Sequence, residues 1–183
     1  MKHSPFAALL AVSLGLVPAI PLAQVAPSVR PNPDQAPPFA EGQWLNTKDG
    51  KPVTLASRRG KPTLVAFWTF ACSNCHANFP AYDRLLAKYR PKGVEMISVH
   101  TPEIEIERDV EEVKKRIAKY KIDYPVLIDN KNANWNRWKV NVWPTLFVID
   151  GEGVARYYWR GELNWKGAGG EAKIGEILDK LLA

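Results

Sequence analysis

Cysteine is scarce in this sequence: the 183 residues include only two, Cys72 and Cys75. A single closely spaced pair leaves no other disulfide to stabilise the fold, which argues against a small disulfide-rich scaffold. No cysteine lies near the end of the N-terminal apolar segment, and this excludes a lipoprotein. The one pair is therefore available for chemistry.

A cluster of basic residues is also absent. The 25 Lys and Arg residues outnumber the 19 Asp and Glu residues by only six, and the two signs are interspersed, as in residues 103–121. Chains that bind nucleic acid concentrate positive charge on one face, so we expect no nucleic-acid partner. There is no internal repeat, and the length suits one domain with a sizeable core.

The N-terminus has the pattern of a targeting segment. Lys2 and His3 precede an apolar run from Phe6 to Leu22, and the small residue Ala23 follows. This pattern predicts a secretory signal peptide over residues 1–23, with an uncleaved membrane anchor as the alternative. The run is short for a membrane span and contains two prolines, which favours cleavage. Export would place both cysteines in the periplasm or outside the cell, where disulfides persist.

Residues 24–38 contain five prolines and few apolar side chains. Such a composition predicts an extended, solvated linker. The folded domain is therefore expected over residues 39–183. Near its start, Trp44-Leu45 and Val53–Leu55 flank Lys48-Asp49-Gly50, which predicts an N-terminal hairpin.

The apolar pattern of the domain alternates between strands and helices. A helix over 72–89 contains Pro80, which should kink it. A second helix, over 105–121, is expected to place Ile106, Val110, Val113 and Ile117 on one face. The other expected elements are strands at 62–68, 94–99, 125–128, 145–149 and 154–159 and helices at 134–139 and 174–182. This order predicts an α/β fold in which a mixed central sheet has helices on both faces.

The two cysteines stand where a buried strand gives way to a helix. A thiol in the first turn of a helix faces unpaired backbone N–H groups and the positive end of the helix dipole, so the thiolate of Cys72 is favoured. Cys75 lies one turn further on, close enough to form a disulfide with Cys72. Such a pair carries two electrons without a cofactor. The pattern therefore predicts a thiol–disulfide oxidoreductase with no metal.

Several motifs together resemble the thioredoxin superfamily: Phe67-Trp68, the Cys72–Cys75 pair, Pro80 and Trp143-Pro144-Thr145. The segment Arg59–Pro62 and the expected hairpin before it are similar to the TlpA-like exported branch. A likeness to the thioredoxin-like domain of DipZ-type cytochrome c biogenesis proteins is carried by three further segments, His100–Glu103, Tyr124–Val126 and Asp129-Asn130. The resemblance covers residues 39–182 and implies a thioredoxin-like fold.

The resemblance also implies roles for individual residues. Cys72 would attack a substrate disulfide, and Cys75 would resolve the mixed disulfide. Pro144 would be a cis-proline facing the pair, and such bonds are uncommon. Trp143 would shape the substrate groove together with Thr145, although Trp143 also fits a place in the core.

The implied partners are thiols or disulfides of proteins outside the cytoplasm, with a membrane thiol relay as the electron donor. The protein is expected to be a monomer. Ser73-Asn74 matches neither a strong reductant nor a strong oxidant of the superfamily, so the direction of electron flow remains open from these residues. The resemblance itself favours a reductant.

Two positions depart from the family pattern. Ala66 stands where thioredoxin has a buried carboxylate, and Asn78 stands where TlpA-like reductases often have a glutamate. Glu103, beside His100, is a candidate replacement for proton transfer, the alternative being a solvated loop acid. His76 either stabilises a thiolate or is an ordinary histidine on the helix surface.

Three other functions compete with this interpretation. The sequence Cys72–His76 fits the attachment pattern of c-type haem, with His76 as proximal ligand and Met96 or His100 opposite. The same Cys and His residues could bind copper or zinc. A peroxidase would use Thr69 with Cys72, but Val65 stands where its proline belongs. The strand–helix context and Trp143-Pro144 argue against haem, and the proline opposite the thiols argues against a metal.

Overall fold

The computed structural model describes residues 29–183, with side chains from Asn32 onward. The predicted signal peptide, residues 1–23, lies outside this part of the chain. One seven-stranded sheet has the strand order β1-β7-β6-β3-β4-β5-β2. The strands are β1 (Val29–Gln35), β2 (Gln43–Leu45), β3 (Thr63–Trp68), β4 (Glu95–His100), β5 (Val126–Ile128), β6 (Thr145–Ile149) and β7 (Val154–Arg160). The helices are α1 (Ser73–Tyr89), α2 (Val110–Lys119), α3 (Ala133–Arg137) and α4 (Gly170–Leu181).

Strand β3 forms the centre of the sheet. All six of its residues are buried, and it pairs in parallel with β4 and antiparallel with β6. A strand that is apolar throughout must be covered on both faces. On one face Leu64, Ala66 and Trp68 belong to the first core cluster, which includes residues of α1, α2 and α4. On the other face Val65 and Phe67 belong to the second core cluster, which includes Trp138 at the end of α3 and residues of segment 36–55. The predicted mixed sheet with helices on both faces is confirmed.

The first correction concerns the predicted linker. Residues Val29–Gln35 are an edge strand paired antiparallel with β7, so the folded part of the chain begins before Phe39. Pro31 and Pro33 are tolerated because an edge strand needs only one side of its backbone for pairing. The register shifts between Pro31 and Asp34.

The predicted N-terminal hairpin is the second correction. Strands are present in this region, but β2 pairs with β5, and Val53–Leu55 forms no strand. Lys48–Gly50 is a 3₁₀ turn in which Asp49 has φ of 56°. Pairing with β5 leaves Trp44 only 6% exposed, packed against Phe39 and the second core cluster. A short local hairpin could not bury this side chain and would lack the stabilisation that its burial provides.

The predicted helix over 105–121 divides in two. Residues Glu105–Arg108 form a 3₁₀ turn, and α2 begins after Asp109, whose carboxylate accepts the N–H of Glu111 at 2.8 Å. Ile106 lies in the turn and is 53% exposed, whereas Val113 and Ile117 are buried as expected. Helix α1 continues through Pro80. None of the helices within residues 29–183 is long and apolar enough to cross a membrane.

Candidate active site

Cys72 is the capping residue of helix α1. Its backbone is extended, with φ of −83° and ψ of 110°, and its Sγ accepts the N–H of Cys75 at 3.2 Å. A side chain that accepts an N–H at this position satisfies one of the free donors of the first turn. Cys72 is half-buried, and Cys75 is only 1% exposed. Both are thiols, and only the first reaches solvent.

The two thiols differ in acidity. A hydrogen bond from the Cys75 thiol lowers the pKa of Cys72, and the backbone N–H groups of Cys75 and Asn74 add to this, against the opposing effects of partial burial and of the Glu103 charge. Burial raises the pKa of Cys75 well above its usual value, and its donation to Cys72 raises it further. The first proton therefore leaves Cys72, and Cys75 stays protonated.

The Trp143-Pro144 peptide bond is cis, as predicted. Thr145, the next residue, is buried and pairs with Phe67 across β6 and β3, while its Oγ1 donates to Val142 O at 2.8 Å. Because β6 begins at the end of the sheet where β3 finishes, the cis-proline and the segment leading to Cys72 lie at the same end. The structure thus brings together the two motifs that the sequence separates by about seventy residues.

Asn78 connects α1 to the chain beyond β7. Its Oδ1 accepts the N–H of Leu163 at 2.7 Å, and its Nδ2 donates to Gly161 O at 3.3 Å and to Tyr82 Oη at 3.2 Å. Gly161 in turn donates its N–H to Pro144 O at 2.8 Å. A carboxylate could not donate to Gly161 O, so the departure at Asn78 has a structural reason in this chain.

Trp143 is half-buried at the margin of the first core cluster. Its indole stacks on that of Trp135, with ring centroids 4.1 Å apart and an interplanar angle of 31°. The carboxylate of Asp129 holds Trp135 by accepting its backbone N–H at 2.8 Å, and it also accepts Thr101 Oγ1 at 3.1 Å and Asn134 N at 2.9 Å. Sequence reasoning predicted a short helix in this region but missed the contact of Trp135 with Trp143, because no local pattern indicates it.

Glu103 is exposed, and it is a different carboxylate, that of Glu107, that is fully buried. Oε1 of Glu107 accepts the N–H of Ala71 at 2.6 Å, and Oε2 accepts those of Glu103 at 2.7 Å and Ile104 at 3.0 Å. Burial opposes ionisation, but the nearby Thr69 hydroxyl and the hydrogen bonds from these N–H groups leave the pKa of Glu107 below its usual value. No local sequence signal indicates this burial, because Glu107 lies in a charged segment.

Two histidines lie close to the cysteines. Nε2 of His76 lies 2.7 Å from Phe70 O, and Nδ1 lies 3.3 Å from Tyr120 Oη. Because a carbonyl only accepts, His76 carries its proton on Nε2, and Tyr120 donates to Nδ1. Burial, opposed by the bond to Phe70, lowers the pKa of His76. His100 is completely buried beside Trp68 and Phe70, and burial lowers its pKa to about 4.

Comparison with known proteins agrees with this geometry. The family model described as "AhpC/TSA family" matches residues 33–158. The chain belongs to the AhpC/TSA family, and within it to the thioredoxin-like, TlpA-like members. It is 38% identical over 119 residues to protein DipZ of Mycobacterium tuberculosis, an alignment that covers 65% of this chain but only 17% of DipZ. It is 33% identical over 105 residues to the thiol-disulfide oxidoreductase ResA of Bacillus cereus, covering 57% of this chain and 58% of ResA.

Solved structures show the same architecture. A protein of Chlorobium tepidum described as a thiol:disulfide interchange protein DsbE superimposes with a TM-score of 0.67 at 28% identity, covering 84% of this chain and 99% of that one. A disulfide oxidoreductase of Mycobacterium tuberculosis, described as secreted, superimposes with a TM-score of 0.57 at 23% identity, covering 73% and 91%, and shows the fold alone. The thioredoxin-like fold is therefore confirmed, and the chain is a thiol–disulfide oxidoreductase.

Proposed function

We propose that this oxidoreductase is an exported reductase, in which Cys72 and Cys75 exchange electrons with disulfides of proteins outside the cytoplasm. The observation that carries the proposal is the asymmetry of the pair. Cys72 is half-buried with a lowered pKa, and Cys75 is buried with a raised pKa. A thiolate is the attacking species in disulfide exchange, so the accessible thiol is also the nucleophilic one.

The reaction proceeds in two exchanges. The Cys72 thiolate attacks one sulfur of the substrate disulfide, forming a mixed disulfide and releasing the other substrate sulfur as a thiolate, which takes up a proton. Cys75 then loses its proton and attacks Cys72 Sγ, which releases the second substrate thiol. The substrate gains two electrons and two protons, and the protein is left with a Cys72–Cys75 disulfide.

The substrate would lie along the cis-proline segment. A cis-proline at position 144 leaves the backbone of Trp143 available to pair with an extended substrate chain, and the stacked indoles of Trp135 and Trp143 would form one wall of the groove. Thr145 supports this segment through its bond to Val142 O. Glu103, which is exposed and whose charge acts on Cys72, is retained as the proposed acceptor of the Cys75 proton.

The supporting evidence for export is the N-terminal pattern of residues 1–23, in which basic residues precede an apolar run that ends at a small residue. The likeness to DipZ supports a role in cytochrome c biogenesis, with apocytochrome thiols as substrates and a membrane thiol relay that returns the electrons. We propose that the protein acts as a monomer. Cell fractionation with N-terminal sequencing tests export, and a mature N-terminus at Gln24 is the expected result.

The contacts of His76 argue against haem attachment or a metal at the Cys72–His76 motif. Both ring nitrogens of His76 are hydrogen-bonded, to Phe70 O and Tyr120 Oη, so binding a metal would cost one of these bonds. A peroxidase is not favoured either, because Val65 lies inside β3 with its side chain in the second core cluster.

The experiment that tests the proposed direction is the reduction potential of the Cys72–Cys75 pair, measured by equilibration with glutathione and dithiothreitol buffers. A potential below about −220 mV is expected for a reductant that depends on a membrane donor. A potential above about −150 mV would make the protein an oxidant or isomerase, and the proposed role in cytochrome maturation would be abandoned.

A further inference from the structure

One peptide group just before Cys72 is held at both ends by side chains. Phe70 C=O accepts the Nε2–H of His76 at 2.7 Å, and Ala71 N–H donates to Glu107 Oε1 at 2.6 Å. These two atoms belong to the same planar peptide group, the Phe70–Ala71 peptide. Fixing both of its ends fixes the orientation of that plane and therefore the direction in which the chain enters Cys72.

Glu107 reaches this peptide at a considerable energetic cost. It is fully buried, and within the described part of the chain it forms no ion pair with a basic residue, so its charge is stabilised mainly by backbone N–H groups. An ionised carboxylate removed from water is expensive unless its hydrogen bonds are satisfied. Because its two oxygens already accept three backbone N–H groups and its pKa is lowered, Glu107 is a poor proton acceptor for Cys75. Its geometry suits holding the backbone.

His76 completes the arrangement from the other side. It projects from the first turn of α1, and its ring packs against that of Tyr120, with centroids 4.5 Å apart and the planes tilted by 30°. The bond from Tyr120 Oη to Nδ1 keeps the proton on Nε2, where it faces Phe70 O. The histidine therefore acts as a neutral donor with a fixed tautomer, and its position is set by α1, the same helix that Cys72 caps.

We propose that His76 and Glu107 are positioning residues for Cys72: by holding the two ends of the Phe70–Ala71 peptide, they keep Cys72 Sγ at the start of α1, where it accepts the Cys75 N–H. Neither residue touches the substrate. The inference rests on the proposed role of Cys72 as nucleophile. When either bond to the peptide is lost, Cys72 spends less time in the capping position, and its thiolate is stabilised less.

The test is the pH dependence of Cys72 alkylation by iodoacetamide in the reduced full-length protein, with the labelled cysteine identified by mass spectrometry. His76→Phe keeps the ring but removes the donor, whereas His76→Gln retains a side-chain N–H. Glu107→Gln removes the charge and replaces one acceptor oxygen by a donor. Glu105→Gln, in the same turn but with a side chain that is 91% exposed, is the matched control.

We expect His76→Phe and Glu107→Gln each to raise the alkylation pKa of Cys72 and to slow alkylation at pH 6.5 by roughly three- to tenfold, the effect of losing one net hydrogen bond. His76→Gln should recover most of the rate, and Glu105→Gln should match the unsubstituted protein. Because both residues act on one peptide group, the double variant should be slowed no more than the slower single variant.

The proposal is overturned if His76→Phe leaves the alkylation profile unchanged, or if Glu107→Gln lowers the alkylation pKa of Cys72, which would show an effect of charge alone. Circular dichroism checks that each variant is folded, and if Glu107→Gln is not, the comparison of His76→Phe with His76→Gln decides. If the rapidly alkylated residue of the unsubstituted protein is Cys75, the proposed function itself fails, and this result is distinct from a failure of positioning.

Discussion

The indoles of Trp135 and Trp143 pack against each other beside the cis-proline, with ring centroids 4.1 Å apart and their planes tilted by 31°. Trp143 precedes Pro144 directly, while Trp135 belongs to α3, on the face of the sheet opposite α1. The stack therefore links the proposed substrate groove to a helix that carries no other residue of the candidate site. Helix α3 is only five residues long, and the bond from the Trp135 N–H to Asp129 helps to hold it in the position where Trp135 contacts Trp143.

We expect Trp135→Ala to raise the KM for a protein disulfide about three- to tenfold with a smaller change in kcat, since an aromatic pair contributes about 0.5–1.5 kcal/mol beyond the burial of its surface. Trp135→Phe, which keeps a ring, should recover most of the affinity. Reduction of a small aromatic disulfide, which needs no groove, should be unaffected in both variants. Equal losses on the large and the small substrate would mean that Trp135 acts on the cysteines and not on the groove.

The roles of the two cysteines predict different phenotypes. Cys72→Ser should abolish the reduction of insulin disulfides, because a hydroxyl cannot replace the thiolate of the half-buried residue. Cys75→Ser should retain the first exchange and accumulate mixed disulfides with substrate, visible on non-reducing gels. Persistent activity of Cys72→Ser would show that the roles are assigned wrongly.

Asn78 should matter for stability. Asn78→Ala leaves the N–H of Leu163 and the carbonyl of Gly161 without their side-chain partner in a buried region, and we expect a loss of about 2–4 kcal/mol in the free energy of unfolding. Chemical denaturation measures this loss. Asn136→Ala, at an exposed position of α3, is the control and should stay within about 0.5 kcal/mol of the unsubstituted protein. An equally small loss for Asn78→Ala would show that the hydrogen bonds from Asn78 to Gly161 and Leu163 contribute little to stability.

His100 predicts a specific acid sensitivity. Burial lowers its pKa from the ordinary value of 6.5 to about 4 in the fold, so the unfolded chain binds a proton more readily. The stability that depends on neutral His100 is complete above about pH 6.5 and is lost as the pH falls toward 4, a total of about 3 kcal/mol. His100→Phe should remove this pH dependence, because phenylalanine does not bind a proton. The substitution should break no hydrogen bond, since within residues 29–183 neither ring nitrogen of His100 has a hydrogen-bond partner.

Denaturation of the unsubstituted protein and of His100→Phe at pH 7.5 and pH 4.5 measures the difference directly. Other acidic and basic groups contribute equally to both proteins and cancel. The variant should gain about 2–3 kcal/mol relative to the unsubstituted protein between the two pH values. If the free energy of unfolding changes with pH equally in both proteins, His100 binds its proton as readily in the folded protein as in the unfolded chain, and the prediction is wrong.

The entry of Cys72 into a helix could be predicted because its signals are local. Strand 62–68 is continuously apolar, the helical pattern begins directly after it, and both boundaries lie within a few residues of those observed. The cis bond at Pro144 came from the family resemblance, since a proline in sequence does not reveal its isomer. The helices and strands that follow α1 were recognised for the same local reasons, apart from the break before α2.

Most of the features that sequence reasoning missed depend on at least one partner far away in the sequence. Glu107 lies among charged residues that look solvated, and its burial is explained only by N–H groups at Ala71, Glu103 and Ile104. Strand β2 pairs with β5, about eighty residues further along the chain. Nothing near Lys48–Gly50 in the sequence indicates this pairing, so the turn there predicted a local hairpin. The prolines before Gln35 predict a linker, because proline is rare inside sheets. They fit a strand only because β1 is at the edge of the sheet and pairs with β7 alone.

The two outer strands of the sheet limit how other polypeptides can attach. On β1, Pro31 and Pro33 have no N–H to offer, and on the opposite edge β2 is only three residues long. An exposed, regular strand edge invites pairing with unfolded chains and leads to aggregation. Under the proposed function, in which the substrates are protein chains, the blunted edges would keep a substrate from adding to the sheet as a further strand. The cis-proline segment would then be the place where a substrate chain pairs.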